Sequence, residues 1–251
     1  RLLLTLWSRH DLETAPGVAL VAIGGYGRGD LHPYSDVDIL VLLETDQPIA
    51  FESELSAFLA ELWDTGVEVG HSVRDIAACK AEAERDLTVA TSLMESRLLS
   101  GPESLYAAMN AAVDADSIWP STEFFAAKRK EQIGRHHRYA DTAYKLEPNV
   151  KGSPGGLRDI QMIGWVAKRH FGADTLVGLV DHKFLTVGQL KRLQEGQEFL
   201  WKVRFGLHML TGRREDRLLF DHQTRLAELL GYENAPYTLA VEQLMQRYDR
   251  T

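Results

Sequence analysis

Asp36 and Asp38 stand two residues apart at the start of an apolar run. Side chains alternate along a β-strand, so a strand here projects both carboxylates from one face. Val37, Ile39 and Val41 then point to the opposite face, into a core. Mg²⁺ in proteins takes one or two carboxylates together with phosphate oxygens. A metal held this way polarises an α-phosphate and aligns the attacking and leaving oxygens, which is the chemistry of nucleotidyl transfer.

A glycine pair, Gly24-Gly25, ends an earlier apolar strand and is expected to let backbone N–H groups approach a phosphate closely. Two side chains between the glycines and the aspartates are further candidates for nucleotide binding. Arg28 either neutralises a triphosphate or is solvated. Ser35 either bonds a phosphate oxygen or shapes the turn before the first aspartate.

The spacing of these residues is itself a signature. Gly-Gly, ten residues (26–35, the last of them Ser35), then Asp-hydrophobic-Asp-hydrophobic resembles the motif of the DNA polymerase β-type nucleotidyltransferase superfamily. The resemblance implies a third acidic metal ligand on a neighbouring strand. Glu68, between two valines, fits this position by pattern, although an exposed charge on a half-buried strand fits equally. Asp86 and Glu95 are alternatives whose helical settings favour capping or surface roles.

Composition restricts the class of protein. The chain has 251 residues, 45% hydrophobic and 25% charged, which suits one large or two modest globular domains. Its formal net charge of −8 disfavours a nucleic-acid binder. The single cysteine, Cys79, is compatible with a reducing cytoplasm. We expect no membrane span and no signal peptide, and the apolar start and helical end of the sequence suggest a fragment.

The patterns predict an α+β fold in two parts. Residues 1–118 read as a nucleotidyltransferase domain, a small mixed sheet with helices. Strands are expected at 18–23, 37–43 and 67–73, with a glycine-rich turn between the first two, and a helix is expected over Leu87–Leu99. A long helix is expected over residues 122–145 in the second part. Residues 119–251 read as an all-α domain, with apolar stripes at helical spacing.

A second unusual run extends from Leu146 to Ile160 and contains a glycine pair that opens a helix. In one interpretation Lys151 and Arg158 hold a triphosphate near this helix start, and Glu147 and Asp159 pair with them. In the other interpretation the run is a helix-cap loop with surface ion pairs. The chemistry of the residues alone leaves both open.

These runs together resemble the bacterial family of PII uridylyltransferase/uridylyl-removing enzymes, over nearly the whole chain. The matching segments are Gly24–Asp38, Glu68–Arg74, Asp86–Thr91, Glu95–Leu99, Leu146–Asp159, Arg169–Gly172 and Arg217–Phe220.

The resemblance implies transfer of UMP from UTP to a tyrosine hydroxyl of the PII nitrogen-regulatory protein, with release of pyrophosphate. Gly24 and Gly25 would hold the phosphates, Asp36 and Asp38 a Mg²⁺ or Mn²⁺ ion, and the second part would be the family's uridylyltransferase-associated domain. Its HD hydrolase and ACT domains cannot fit in this length. No motif distinguishes a uracil from an adenine pocket, so an adenylyltransferase acting on PII or glutamine synthetase stays open. A non-catalytic nucleotide- or partner-binding module is the other alternative.

Overall fold

The structure, a computed structural model, describes residues 1–45, 51–139, 146–173 and 175–251. They pack as two units, one of Arg1–Leu31 with Ser35–Pro120 and the other of His32–Tyr34 with Ser121–Thr251. The sequence-based boundary after Ile118 stays a prediction. No described helix has the length and apolar character needed to cross a membrane.

The first unit is built on a four-stranded mixed sheet, in the order β3-β2-β1-β4. The central strand β1 pairs antiparallel with β2 and β4, whereas β2 and β3 run parallel. The predicted small mixed sheet with helices is therefore confirmed. The strands are β1 (Val18–Ala22), β2 (Val37–Leu43), β3 (Val69–Asp75) and β4 (Arg97–Ser100).

Helices cover both faces of this sheet, so each face has its own core. Val41 packs with α1 and α3, and Leu40 packs with α4, α5 and α6. Every residue of β1 is buried because both of its faces are covered. The helices are α1 (Leu2–Arg9), α2 (Gly24–Arg28), α3 (Glu52–Asp64), α4 (Ile76–Arg85), α5 (Leu87–Met94) and α6 (Glu103–Ala112).

Two local expectations in this unit are wrong. The glycine-rich segment forms the short helix α2 rather than an open turn, because its packing against neighbouring backbone compensates for the poor helix propensity of glycine. The helix expected over Leu87–Leu99 ends at Met94, and the chain continues into β4. Antiparallel pairing with the buried strand β1 overrides the helical preference of the two leucines in β4.

The second unit is helical in its described residues, as predicted. Thr186 caps α10 in a capping box with Gln189, which fixes the start of this long helix. Val203 and Leu207 of α10 are fully buried in the core of the unit. The helices are α7 (Ser121–Arg138), α8 (Leu157–Phe171), α9 (Gly178–Asp181), α10 (Val187–Thr211), α11 (Phe220–Leu229) and α12 (Ala240–Asp249). The end of the helix expected over residues 122–145 lies partly outside the described residues.

Candidate active site

The aspartate pair lies where β2 begins. The register of β2 confirms the predicted alternation: Ile39 and Val41 lie in one core, and Leu40 in the other. Asp36 and Asp38 precede Leu40 on its face of the sheet, where the covering helices leave them partly exposed. The sheet therefore holds both carboxylates on one side through a rigid, buried strand.

Gly24 lies beside the second aspartate. The Ile23 amide donates to the Asp38 carbonyl at 3.0 Å, which ties the end of β1 to β2. Gly24 has a φ of +55°, and a Cβ built on it would lie 3.5 Å from Asp38 Oδ2. The structure thus brings the glycine pair and the Asp-x-Asp segment together, as the motif requires. That the glycine amides bind phosphate stays a prediction.

The neighbouring strand β3 leaves room for the same carboxylate. In the parallel register Gly70 is the partner of Asp38. A Cβ built on Gly70 would come within 2.4 Å of Asp38 Oδ1. Any larger residue here would therefore displace the Asp38 side chain, and nothing in the local sequence indicates this role.

Glu68, the proposed third ligand, directly precedes β3. The amide of Val37 donates to the carbonyl of Glu68 at 2.9 Å, so Glu68 lies beside Asp36 at the start of the two paired strands. Glu68 is exposed. In the parts of the chain that are described, no three His, Cys, Asp or Glu side chains are arranged to hold a metal ion. Glu68 as a ligand stays a prediction.

The chemistry of the donors fits a hard divalent cation. Asp36 and Asp38 offer carboxylate oxygens from one strand, and Gly70 leaves space beside them. Mg²⁺ and Mn²⁺ are bound by such oxygens and complete their coordination with water or phosphate. The site can therefore hold a metal between the protein and a phosphate chain.

Arg28, predicted to contact nucleotide, has two acidic partners within its own unit. Its Nε donates to Asp30 Oδ2 at 2.8 Å, and its Nη1 pairs with Glu95, whose side chain is only 7% exposed. Burial lowers the pKa of Arg28, but the two carboxylates outweigh that effect and raise it. This ion-pair network joins α2 to the end of α5. Nucleotide binding by Arg28 stays a prediction.

The remaining candidates of the motif have defined positions. Ser35 is partly buried immediately before Asp36, and its role toward phosphate stays a prediction. Asp86 caps α5 by accepting the Thr88 amide at 2.6 Å, so it has the capping role that its sequence setting favoured.

Two residues near the glycines escape sequence reasoning. Ser92 of α5 has its hydroxyl 3.8 Å from the Cβ that Gly24 would carry. Arg97 of β4 donates to the carbonyls of Tyr26 and Gly27 at 3.1 and 3.2 Å, which fixes α2 against the sheet. Ser92 stands in no recognised motif, and Arg97 lies in the matching segment Glu95–Leu99 without an assigned role, because its position depends on the strand β4, which the sequence did not reveal.

In the run from Leu146 to Ile160, the two carboxylates have partners other than those that one of the two interpretations gave them. Asp159 pairs with Arg135 at 2.6 Å and with His136 at 3.0 Å. Glu147 instead accepts the first amide of α11, that of Phe220, at 3.0 Å. Neither carboxylate compensates Lys151 or Arg158, because both face other helices.

Two family models match the chain. The model described as GlnD PII-uridylyltransferase covers residues 123–251, about half of the chain. A nucleotidyltransferase domain model covers residues 7–99, which contain the aspartate pair and its glycines.

Named relatives agree with these models. Bifunctional uridylyltransferase/uridylyl-removing enzymes of Stutzerimonas stutzeri A1501 and Azotobacter vinelandii DJ are 56% and 54% identical over 250 residues. That of Nitrosococcus oceani is 57% identical over 242 residues. The alignments cover 100%, 100% and 96% of this chain but only 28%, 28% and 27% of the relatives. A solved toxin–antitoxin structure with AMP-PNP aligns over 55% of the chain and 94% of its own, at 18% identity and a TM-score of 0.28. That likeness is too weak to compare folds.

Proposed function

Because the chain belongs to the PII-uridylyltransferase family, we propose that it transfers UMP from UTP to a tyrosine hydroxyl of the PII protein, releasing pyrophosphate. The observation that carries this proposal is that Gly24 and Gly70 both lie against the Asp38 carboxylate at the start of β2. The relatives are named for two activities, transfer and removal. The nucleotidyltransferase match over the aspartate pair favours transfer for this part of the protein.

In the proposed reaction, Asp36 and Asp38 hold a Mg²⁺ or Mn²⁺ ion, with Glu68 as a third carboxylate. Bound there, such an ion supplies charge neutralisation of the triphosphate and lowers the pKa of an attacking hydroxyl. Gly24 and Gly25 let the backbone approach the phosphates, because neither carries a side chain. A tyrosine hydroxyl, with an ordinary pKa of about 10, needs activation to attack at neutral pH.

The biological setting is proposed on the same basis. Residues 1–118 form the transferase domain and residues 119–251 the associated helical domain, and the protein acts in nitrogen signalling in the cytoplasm. UTP and PII are its partners. The net charge of −8 supports a protein rather than a nucleic acid as acceptor.

Nucleotide transfer measured by intact-protein mass spectrometry tests this proposal. Purified chain, PII and Mg²⁺ or Mn²⁺ are mixed with UTP or with ATP. We expect a UMP-sized gain on PII that disappears in the Asp36→Asn/Asp38→Asn variant and persists in Asp64→Asn, which changes an exposed aspartate of α3. An AMP-sized gain would keep the chemistry and overturn the proposed nucleotide. Transfer that persists in the Asp36→Asn/Asp38→Asn variant would separate the activity from the aspartate pair, and loss in both variants would show that the effect is not specific to that pair.

The third ligand has its own test. If Glu68 binds the metal, Glu68→Gln raises the Mg²⁺ concentration for half-maximal transfer by about tenfold or more, equivalent to about 1.4 kcal/mol. The matched control is Glu84→Gln, an exposed glutamate on α4. If the two variants need the same Mg²⁺ concentration for half-maximal transfer, Glu68 is not a metal ligand.

A further inference from the structure

The helical unit includes a short piece of the chain between the glycine pair and the aspartate pair, His32–Tyr34, here named the Tyr34 turn. Tyr34 has a φ of +59°, a left-handed conformation that costs energy for any residue with a β-carbon. Its side chain is 54% exposed, so its own packing does little to hold this conformation. Because Asp36 follows two residues later, the contacts that fix the Tyr34 turn also restrict where the Asp36 carboxylate can lie.

His208 of α10 makes the first of these contacts. This fully buried residue bonds through Nδ1 to the backbone carbonyl of Pro33. A carbonyl oxygen only accepts, so His208 Nδ1 is the donor. Nε2 of the same ring lies 3.5 Å from Asp216 Oδ1. The imidazole therefore lies between a carboxylate and the residue that directly precedes the left-handed tyrosine.

Arg204, one helical turn before His208 on α10, makes the second contact. Its Nη1 donates to His32 Nδ1 at 3.1 Å, and its Nε donates to Asp216 Oδ1 at 2.6 Å. The Val150 amide donates to the Asp216 carbonyl at 2.8 Å, which ties this aspartate to a buried residue of the unit. Burial opposes ionisation of Asp216, but the neighbouring His208 and Arg204 lower its pKa well below the usual range. One carboxylate thus orients both side chains that hold the Tyr34 turn.

We propose that His208, oriented by Asp216, is a positioning residue that holds the Tyr34 turn in its left-handed conformation and so places Asp36 for metal binding. This inference rests on the transferase function proposed above. His208 bonds to backbone, so it acts through the path of the chain and takes no part in the chemistry. Without its donor the turn should relax, because the surrounding structure no longer compensates for the cost of the left-handed tyrosine.

Four variants and one control separate this role from a contribution to stability alone. His208→Leu removes the donor, whereas His208→Asn keeps an N–H group near the position of Nδ1. Tyr34→Val makes the left-handed conformation more costly and Tyr34→Gly removes the cost, and both changes lie outside the core of the helical unit. The matched control is Val203→Ala, which creates a cavity at a fully buried core residue of the same helix.

Two measurements on the whole chain need no transfer reaction. Electron paramagnetic resonance gives the affinity for Mn²⁺, and hydrogen exchange of a peptide over residues 29–38 reports the turn. In His208→Leu and in Tyr34→Val we expect Mn²⁺ affinity to fall, and exchange of the peptide to rise, at least about tenfold. His208→Asn should retain most of the affinity, and Tyr34→Gly should recover part of it in the His208→Leu chain. Val203→Ala should lower the urea midpoint and leave Mn²⁺ affinity unchanged.

Other results would overturn the proposal. Wild-type Mn²⁺ affinity in His208→Leu would do so, as would equal losses of affinity in His208→Leu and Val203→Ala. If His208→Leu does not fold, Tyr34→Val decides by itself, and wild-type affinity there would refute the positioning role. A wild-type chain that binds no Mn²⁺ would refute it too. Failure of the wild type to transfer UMP while the Mn²⁺ results are as expected would overturn the transferase function and keep the positioning role.

Discussion

Gly70→Ala is the most informative single change at the proposed active site. The added Cβ would lie 2.4 Å from Asp38 Oδ1, whereas ordinary van der Waals contacts begin near 3.4 Å. The carboxylate must therefore retreat by about 1 Å, and a displacement of that size can lower an enzymatic rate by about 100-fold. That loss corresponds to about 2.7 kcal/mol of transition-state stabilisation.

The same change should cost little stability. The atom that must move is the end of a side chain rather than backbone, and replacing glycine in a strand by alanine favours folding by roughly 0.5–1 kcal/mol. We therefore expect Gly70→Ala to transfer UMP about 100-fold more slowly while its urea midpoint changes little. The matched control is Val73→Ala, an exposed residue of the same strand whose side chain points to the other face.

A double-mutant cycle shows whether the effect passes through Asp38. If it does, Gly70→Ala causes no further loss of activity in an Asp38→Asn background, because the group it displaces is no longer a carboxylate ligand. Wild-type transfer by folded Gly70→Ala would refute the reasoning, as would independent, additive losses in the cycle. Unfolding of the variant would show that backbone, not the carboxylate, absorbs the overlap.

Three further outcomes follow from the described contacts. Arg28→Met should lower the free energy of unfolding in urea by roughly 3 kcal/mol, because it removes the cation that pairs with the buried Glu95 carboxylate, and Glu95→Gln in the same chain should recover part of the loss. Lys151→Met should raise the free energy of unfolding by up to about 3 kcal/mol at pH 7, since the folded-state pKa of about 8 lies below the ordinary 10.5. This advantage should shrink between pH 8 and 10.5, where the wild-type lysine loses its proton on folding, and a constant difference across that range would contradict it. Cys79 is fully buried with a pKa raised to about 11 by desolvation, so a thiol reagent at pH 8 should modify it at least about 100-fold more slowly in the native than in the urea-unfolded chain.

The sequence reveals the parts of the site that depend on local pattern. An apolar run alternating with Asp36 and Asp38 dictates a strand with two carboxylates on one face, and the register of β2 confirms it. A strand is expected at 67–73 for similar reasons, and β3 lies two residues later, at Val69–Asp75. Such features are local because alternation needs only consecutive residues.

Features that arise from pairing between distant segments were not predictable. β4 is a four-residue strand of ordinary composition, and its existence depends on pairing with β1 about 75 residues earlier. Gly70 faces Asp38 only through the parallel register of β2 and β3. The position of Ser92 near Gly24 likewise results from the packing of α5, which no spacing along the chain encodes.

The glycines around the aspartate pair differ in what a side chain would displace. At Gly27 a Cβ would overlap the carbonyl of Glu95, so α2 can approach the end of α5 only without one. At Gly24 the constraint is the positive φ, and at Gly70 it is the Asp38 carboxylate. The first two are backbone constraints that keep α2 against the sheet, whereas the third acts on a side chain alone. The motif therefore encodes close packing as well as the proposed phosphate site, and Gly70, outside the Gly-Gly…Asp-x-Asp spacing, is the position where we expect a substitution to change the activity while the fold is kept.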